Sequence, residues 1–122
     1  MAKVSQITND DAALASLLTL HEVWAKDHDR GQRADFSHKR LKGVDLSEAM
    51  LVRSVMVGVD LSGAGLNRAD LSWSDLFGAD LSSADLRSAK LANANLRGVV
   101  FKGANLNGAE LAGADLRGGA IL

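Results

Sequence analysis

The sequence predicts an all-β solenoid preceded by a single α-helix. Three observations lead to this fold class: a five-residue repeat through most of the chain, a segment of helical spacing before it, and the absence of proline. A chain of 122 residues is long enough for one domain. We expect residues 1–33 to form a helix and connector, and residues 34–122 to form the repeat array.

The repeat is clearest in residues 79 to 96, where the sequence is ADLSSADLRSAKLANANL. The central position of each five-residue unit is apolar, usually leucine, and the position two before it is usually alanine. A helix would rotate by about 500° over five residues, and a strand would place successive leucines on opposite faces. The chain must therefore turn once in every repeat, with the leucine and the small residue pointing inward.

Glycine marks the expected corner of many repeats. It stands two residues after the central position in nine of them, for example at Gly63 and Gly103. A tight corner often requires positive φ, which glycine adopts without steric cost. Stacked corners of this kind predict a solenoid.

The run AGLNRADLSWSDLFGADLSSADLRSAKLANANL closely resembles the pentapeptide-repeat proteins, whose motif is A(D/N)LXX. The resemblance covers residues 34 to 122. It implies a right-handed quadrilateral β-helix with four pentapeptides per coil, and therefore about four and a half coils for the 18 repeats. Residues twenty positions apart would then lie one above the other, about 4.8 Å apart.

The segment before the repeats, residues 8 to 28, has helical spacing. Thr8 or Asn9 is a candidate N-cap, and Gly31 ends the pattern. The residues that recur at helical spacing are Leu14, Leu17, Leu18, His21 and Trp24. We expect this helix to cap the first coil, and we expect His21 and Trp24 to pack against that coil and not to line a ligand pocket.

Lys39 departs from the repeat pattern because it occupies an inward position. A charged ammonium group is costly inside a narrow apolar core. We expect its side chain to leave through the open end of the first coil or to contact the helix. We therefore expect residues 34–43 to depart from the regular repeat geometry.

No catalytic, cofactor or metal site is predicted. The chain has no cysteine, and His21, His28 and His38 are widely spaced. Asp60 and Asp80 should lie one above the other, a spacing that suggests a glycosidase pair or a calcium site. The preferred interpretation is that aspartate before the central leucine accepts a local backbone N–H bond. We therefore expect a protein that is not an enzyme.

The charge balance is close to neutral, with 14 basic and 15 acidic residues. This favours neither nucleic acid nor an anionic membrane as a partner. No apolar run approaches the length of a membrane span, and no leader segment is recognisable at the start of the chain. We expect a soluble, cytoplasmic protein.

Six apolar residues are predicted to point outward and to share one corner of the solenoid. They are Met50, Val52, Val55, Val57, Trp73 and Phe77, and we name them the apolar corner. Since the other faces are polar, we interpret this corner as a candidate protein-interaction patch. The alternative is that the N-terminal helix folds along it and covers it.

Two further surfaces are candidates for contacts. The last coil, which ends with Ile121 and Leu122, lacks a capping helix in the sequence and is a candidate for end-to-end contact in a homodimer. The apolar corner is a second candidate for dimer formation. Arg97 and Arg117, with Lys102 nearby, form a basic column that we interpret as a solvated face.

The sequence favours a non-catalytic protein-binding or scaffold module, which presents a rigid surface to a protein partner or to itself. The alternative comes from the resemblance, since quinolone-resistance members of the family protect DNA gyrase by imitating DNA. That imitation requires a strongly negative rod. Residues 34–122 contain ten acidic and ten basic residues, so the net charge disfavours the alternative.

Overall fold

The computed structural model describes residues 12–118. The helix in this range, α1, spans Ala12–Lys26. From residue 35 onward, parallel bridges join residues twenty positions apart, beginning with Asp35↔Val55 and ending with Asn95↔Asp115. Four pentapeptides therefore complete one coil. The expected total of about four and a half coils includes residues 119–122, which lie outside the described range.

The β structure consists of isolated bridges. Among residues 12–118 there are thirteen parallel bridges and no continuous strand. Each bridged residue directly precedes a central residue, and a turn begins two positions later. The extended segment between two corners is too short for a longer strand, so each face of the array is held together by a column of single bridges.

All five backbone N–H groups of residues 79–83 find acceptors. Two of these bonds stay within the local chain, two reach the coil above and one reaches the coil below. The pairs are Ala79 to Leu76 O (2.9 Å), Asp80 to Val59 O (2.9 Å), Leu81 to Val100 O (2.8 Å), Ser82 to Asp80 Oδ1 (2.9 Å) and Ser83 to Lys102 O (2.8 Å). Proline has no N–H group, so its absence from the chain follows from this pattern.

Aspartate or asparagine before the central residue accepts the N–H bond of the residue two positions later, over 2.9–3.2 Å. The acceptors are Asp35, Asp45, Asp60, Asp70, Asp75, Asp80, Asp85, Asn95, Asn105 and Asp115. This contact satisfies an N–H group that would otherwise have no acceptor in the neighbouring coils. The local role predicted for Asp60 and Asp80 is confirmed, and the two residues are bridged one above the other.

The core is a column of apolar side chains along the axis of the repeat array. Central residues from Leu46 to Leu96 are at most 1% exposed. Burial then declines toward the C-terminal end, where Leu106 and Leu111 are half-buried and Leu116 is 39% exposed. The middle coils are the best-buried part of the array because neighbouring coils cover them on both sides.

The corner residue, two positions after the central one, has positive φ in every repeat from His38 to Gly118. The glycines at this position have φ of 65–75°, and the other residue types have φ of 58–62°. The turn is closed by bonds such as that from Ala64 N to Leu61 O (3.0 Å). The positive φ predicted for glycine therefore also applies to larger residues such as Trp73.

Replacing Gly63 by alanine tests the conformational cost of this corner. An added Cβ would meet no atom within 4 Å, so the change affects the backbone without creating a clash. We expect the free energy of unfolding to fall by about 0.5–1 kcal/mol, because non-glycine residues disfavour positive φ while alanine restricts the unfolded chain. The control is Ser83→Ala, one coil above in the same column, which should change little in urea denaturation. Equal losses in both variants would contradict this explanation.

The backbone around Lys39 is regular, so the prediction that residues 34–43 would be irregular is wrong. Arg40 is bridged to Asp60, and Lys39 O accepts a 3.0 Å hydrogen bond from Asp60 N. The Lys39 side chain is exposed. At the first coil no further coil lies beneath this side, so the lysine reaches solvent without moving the backbone.

Two inward serines on one face differ in hydrogen bonding. Ser74 Oγ donates to Leu71 O (2.6 Å), whereas Ser54 Oγ has no hydrogen-bond partner among the described residues. Both side chains are buried. We expect Ser54→Ala to raise the free energy of unfolding by up to about 1 kcal/mol and Ser74→Ala to lower it by about 0.5–1.5 kcal/mol. If urea denaturation showed a larger loss of free energy of unfolding in Ser54→Ala than in Ser74→Ala, this prediction would be wrong.

Helix α1 ends earlier than the sequence predicts. It ends at Lys26, and the chain then turns through a hydrogen bond from Arg30 N to Asp27 O (2.9 Å). Gly31 does not terminate the helix. Its φ of 69° brings the chain back against α1, where an added Cβ would lie 2.7 Å from Trp24 N. The candidate caps Thr8 and Asn9 lie outside the described residues.

Helix α1 packs against the repeat array. Leu14 and Leu18 are buried in the same apolar cluster as Ala34 and Phe36. Within residues 12–118, no helix has the length and apolarity needed to cross a membrane.

Candidate protein-interaction surface

The six residues of the apolar corner differ in exposure. Trp73 is 52% exposed and Phe77 is 45% exposed. The four aliphatic members, Met50, Val52, Val55 and Val57, are half-buried. The accessible part of the corner is therefore a pair of aromatic rings four residues apart on one coil.

Each ring of the apolar corner carries an arginine. The Arg53 guanidinium carbon lies 5.0 Å from the centre of the Trp73 ring, and that of Arg97 lies 5.3 Å from the Phe77 ring. These distances are typical of cation–π contacts. Arg53 precedes Trp73 by one coil and Arg97 follows Phe77 by one coil, so a twenty-residue spacing in the sequence was the signal for both pairs.

Helix α1 reaches the N-terminal edge of this surface. His21 Nε2 donates a 2.8 Å hydrogen bond to Val52 O, and Arg33 Nε donates a 2.6 Å hydrogen bond to Arg53 O. The helix therefore contacts the apolar corner at Val52, while Trp73 and Phe77 remain exposed. The predicted alternative of helix coverage therefore holds only at this edge, and the interpretation of the corner as a protein-interaction patch stays a prediction.

His21 packs between α1 and the first coil, as predicted. It is fully buried, and its second ring nitrogen, Nδ1, accepts a 2.9 Å hydrogen bond from Ala34 N. Since Nδ1 accepts, the neutral tautomer with the proton on Nε2 fits both bonds. Burial lowers the pKa of His21, an effect that the Val52 carbonyl opposes and Arg33 reinforces.

Trp24 also packs. Its ring is stacked on His28, with 4.2 Å between the ring centres, and lies 5.4 Å from His21. The Arg33 guanidinium carbon lies 5.7 Å from the Trp24 ring. These contacts surround the indole with side chains of the connector and leave it half-buried.

The structure does not bring the three histidines together. His21 is buried at the helix contact, His28 is exposed beside Trp24, and His38 is an exposed corner residue of the array. Across the described part of the chain, no three histidine, cysteine, aspartate or glutamate side chains are grouped as potential metal ligands.

Several exposed ion pairs lie on the repeat array. Arg87 pairs with Asp85 and Arg117 with Asp115, both over 2.7 Å. The hydrogen bond from Arg87 lowers the pKa of Asp85, and that from Arg117 lowers the pKa of Asp115 to about 2. These groups are exposed, so water screens the pairs and their effect on stability is small.

Acidic residues are present on all four faces of the coils. The twenty-residue register places them in separate columns, which begin at Asp35, Arg40, Asp45 and Met50. Their members are Asp35, Asp75 and Asp115; Asp60 and Asp80; Asp45 and Asp85; and Asp70 and Glu110. No face of the described array carries the continuous negative charge that imitation of DNA requires.

A shallow groove lies beside Phe77. It has a volume of about 380 Å³ and is lined by Phe77, Arg97, Gly98, Arg117 and Gly118. The two glycines have no side chains to fill it. At the C-terminal end, the predicted contact residues Ile121 and Leu122 lie outside the described residues.

This geometry defines the class of protein: a solenoid of four-sided coils with its leucines inside and its variable residues on the faces. The family described as pentapeptide repeats (8 copies) matches residues 32–64, 40–78, 56–91 and 79–118. The chain belongs to the pentapeptide-repeat family, as its sequence indicated. Members of this family form right-handed quadrilateral β-helices.

Solved structures agree with this assignment. The chain is 39% identical to the pentapeptide repeat protein Rfr23 from the cyanobacterium Cyanothece 51142, with a TM-score of 0.68, over 69% of this chain and 57% of that one. It is 36% identical to a pentapeptide repeat protein from the Arabidopsis thaliana thylakoid lumen, with a TM-score of 0.68, over 70% of this chain and 60% of that one. The chain thus spans less than two thirds of both structures.

A third structure is a pentapeptide repeat protein from Nostoc Pcc 7120, which is 38% identical over 80% of this chain and 73% of that one, with a TM-score of 0.50. A comparison with curated proteins finds no significant match. The similarities establish the family and the fold.

Proposed function

We propose that the chain is a non-catalytic protein-binding module and that the apolar corner is its binding surface. The observation that carries this proposal is the exposure of two aromatic rings at successive turns of one coil, Trp73 and Phe77, on a rod whose other phenylalanines, Phe36 and Phe101, are buried. Aromatic residues with arginine beside them are enriched in protein interfaces. A rigid coil holds these side chains in place, so little conformational entropy is lost when a partner binds.

The absence of catalysis is part of the proposal and is supported by the engagement of the polar groups. The aspartates accept local backbone bonds, and both ring nitrogens of His21 bind backbone groups. A general acid or base requires a titratable group within reach of a substrate. The candidate groups of the array are instead occupied in holding its backbone.

We also propose that α1 caps the first coil. Leu14 and Leu18 cover apolar residues at this end, and His21 supplies bonding partners to Ala34 N and Val52 O. Solenoids require such end coverage because a terminal repeat has an uncovered apolar surface.

Affinity capture tests the binding surface. Three baits are compared in lysate of the source organism: the wild-type protein, a Trp73→Ala, Phe77→Ala double variant, and a Ser88→Ala, Asn107→Ala control on another face. Circular dichroism must show that all three are folded. We expect a protein that the wild type and the control capture and the aromatic variant does not.

Equal capture by the three baits would contradict the assignment of the surface. If the captured protein is the same chain, the partner is a second copy, and sedimentation should show a dimer that the aromatic variant does not form.

A further inference from the structure

Two arginines of this surface lie over aromatic rings and form no ion pair among the described residues, although the charge of Arg97 adds to the effect of Arg117 in lowering the pKa of Asp115. Arg53 lies over Trp73 and Arg97 over Phe77. Among residues 12–118, three other arginines of the array form ion pairs, namely Arg68 with Glu48, Arg87 with Asp85 and Arg117 with Asp115. Neither Arg53 nor Arg97 has such a pair within the described chain. Arg97 Nε binds only the neutral Asn95 Oδ1 there, over 3.1 Å.

The four side chains form two pairs at successive turns of the coil, since one ring stands at the turn of residues 72–73 and the other at the turn of residues 77–78. Arg53 and Trp73 stand in one column, and Phe77 and Arg97 stand in a column on the next face. The rings share a coil, with one guanidinium a coil below and the other a coil above. The backbones of Arg53 and Arg97 are therefore offset by about 10 Å along the rod, which is two coil spacings, and they are also separated laterally by the face between their columns.

A guanidinium that lies over a ring keeps its N–H groups in the guanidinium plane, where they can donate to a carboxylate through two parallel bonds. The ring limits the motion of the arginine, so less entropy is lost when that bond forms. Arginine and tryptophan are also enriched among the residues that contribute most to binding. The chemistry of the arrangement favours a partner with carboxylates on either side of an apolar group.

The surroundings supply a place for the apolar group and further positive charge. The groove of about 380 Å³ lies beside the Phe77 ring, and Gly98 and Gly118 leave it unfilled by side chains. Arg33 adds a guanidinium near Arg53 O. The nearby Asp75 carboxylate accepts bonds from Phe77 N (3.1 Å) and Asn95 Nδ2 (3.0 Å).

We propose that the apolar corner binds an extended acidic segment of a partner protein, with two carboxylates flanking an apolar side chain. An extended chain advances about 3.3 Å per residue, so a short segment that crosses the face between the two pairs can bring one carboxylate to each guanidinium. The apolar side chain between them contacts Phe77 and the groove. This inference rests on the proposed function and specifies the chemistry of the partner.

The test measures fluorescence anisotropy of short labelled peptides in which two glutamates, three to five positions apart, flank leucine residues, and the tightest binder of this set is called the glutamate peptide. Matched peptides carry glutamine or lysine in place of the glutamates. The proteins are the wild type, an Arg53→Gln, Arg97→Gln double variant, and an Arg68→Gln, Arg87→Gln control that loses the same charge from another face. Thermal denaturation is used to verify that each variant is folded.

We expect the wild type and the control to bind the glutamate peptide with similar affinity. The Arg53→Gln, Arg97→Gln variant should bind it at least about tenfold more weakly, because each lost guanidinium removes a charge-assisted pair. Neither the glutamine peptide nor the lysine peptide should bind the wild type with comparable affinity. Binding should weaken as salt is raised to roughly 0.3 M.

Three results would overturn the inference: equal losses in the two arginine variants, equal binding of the glutamine peptide, or no binding of the glutamate peptide. Tighter binding of a single-stranded oligonucleotide through Arg53 and Arg97 would also overturn it, since the ligand would then be a polyphosphate. The affinity capture separates this outcome from failure of the proposed function. If the Trp73→Ala, Phe77→Ala variant loses the partner and the Arg53→Gln, Arg97→Gln variant retains it, the proposed binding surface stands and its preference for an acidic segment is wrong.

Discussion

Replacing Leu81 by alanine is expected to lower the free energy of unfolding by about 3–5 kcal/mol. Leu81 is fully buried, and its own coil and both neighbouring coils contribute to the apolar column around it. Backbone hydrogen bonds between coils, such as that from Leu81 N to Val100 O (2.8 Å), fix the spacing of the coils. The surrounding backbone therefore has little freedom to fill the cavity. The loss therefore combines the transfer of the side chain and the cost of the cavity.

Leu116 provides the matched control, because it holds the same place in its repeat but is 39% exposed. Leu116→Ala should cost about 1 kcal/mol or less, since fewer of its atoms leave water on folding. Urea denaturation followed by circular dichroism measures both values. Similar losses at Leu81 and Leu116 would show that burial along the rod does not determine stability.

Replacing His21 by alanine is expected to lower the free energy of unfolding of the N-terminal end by about 3–5 kcal/mol. The change leaves Ala34 N and Val52 O without their buried partner, and each orphaned group costs about 1–3 kcal/mol. It also leaves a cavity between α1 and the first coil. Hydrogen exchange should accelerate at Ala34 and along α1 more than at Leu81, and uniform protection would contradict this.

The same histidine should make stability depend on pH. Burial in the folded state lowers the pKa of His21 below its ordinary value of 6.5. Below pH 6.5 the unfolded chain therefore binds a proton that the folded chain does not. The free energy of unfolding therefore has its full value above pH 6.5 and decreases as the pH falls below 6.5. While the folded ring stays neutral, the decline is about 1.4 kcal/mol per pH unit.

This decline can be measured by urea denaturation at several pH values between 7.5 and about 5.5, above the range in which carboxylates titrate. His21→Gln should flatten the profile because it removes the buried titrating group. His38→Gln is the control, since His38 is exposed, and it should retain the slope. A slope that persists in His21→Gln would assign the effect to another group.

The repeat array was largely predictable from the sequence because each of its features recurs in register. The leucine column, the small inward residues and the local role of Asp60 and Asp80 all follow from the period of five. The corner was only partly predictable. Glycine at Gly63 indicated positive φ, but Trp73 and Ser83 adopt it too, because the hydrogen bonds of the coil impose the turn on whatever residue stands there.

The contacts between neighbouring columns were less accessible to sequence analysis. The apolar corner was predicted as one patch, yet four of its members are half-buried, and Arg53 and Arg97 lie on its exposed rings. Such contacts depend on side-chain rotamers across two coils. The double bonding of His21 depends on how the connector returns at Gly31, a backbone path that helical spacing alone does not specify.

The twenty-residue register also limits how such a protein can change by insertion and deletion. A gain or loss of five residues keeps every leucine inside, but it rotates all later residues by one face. A single extra pentapeptide between Phe77 and Arg97 would leave the fold intact and move the arginine off the ring, because the pair stands twenty residues apart. During evolution the core therefore tolerates length changes in units of five, whereas the proposed binding surface is retained after a change within it only when no face is shifted.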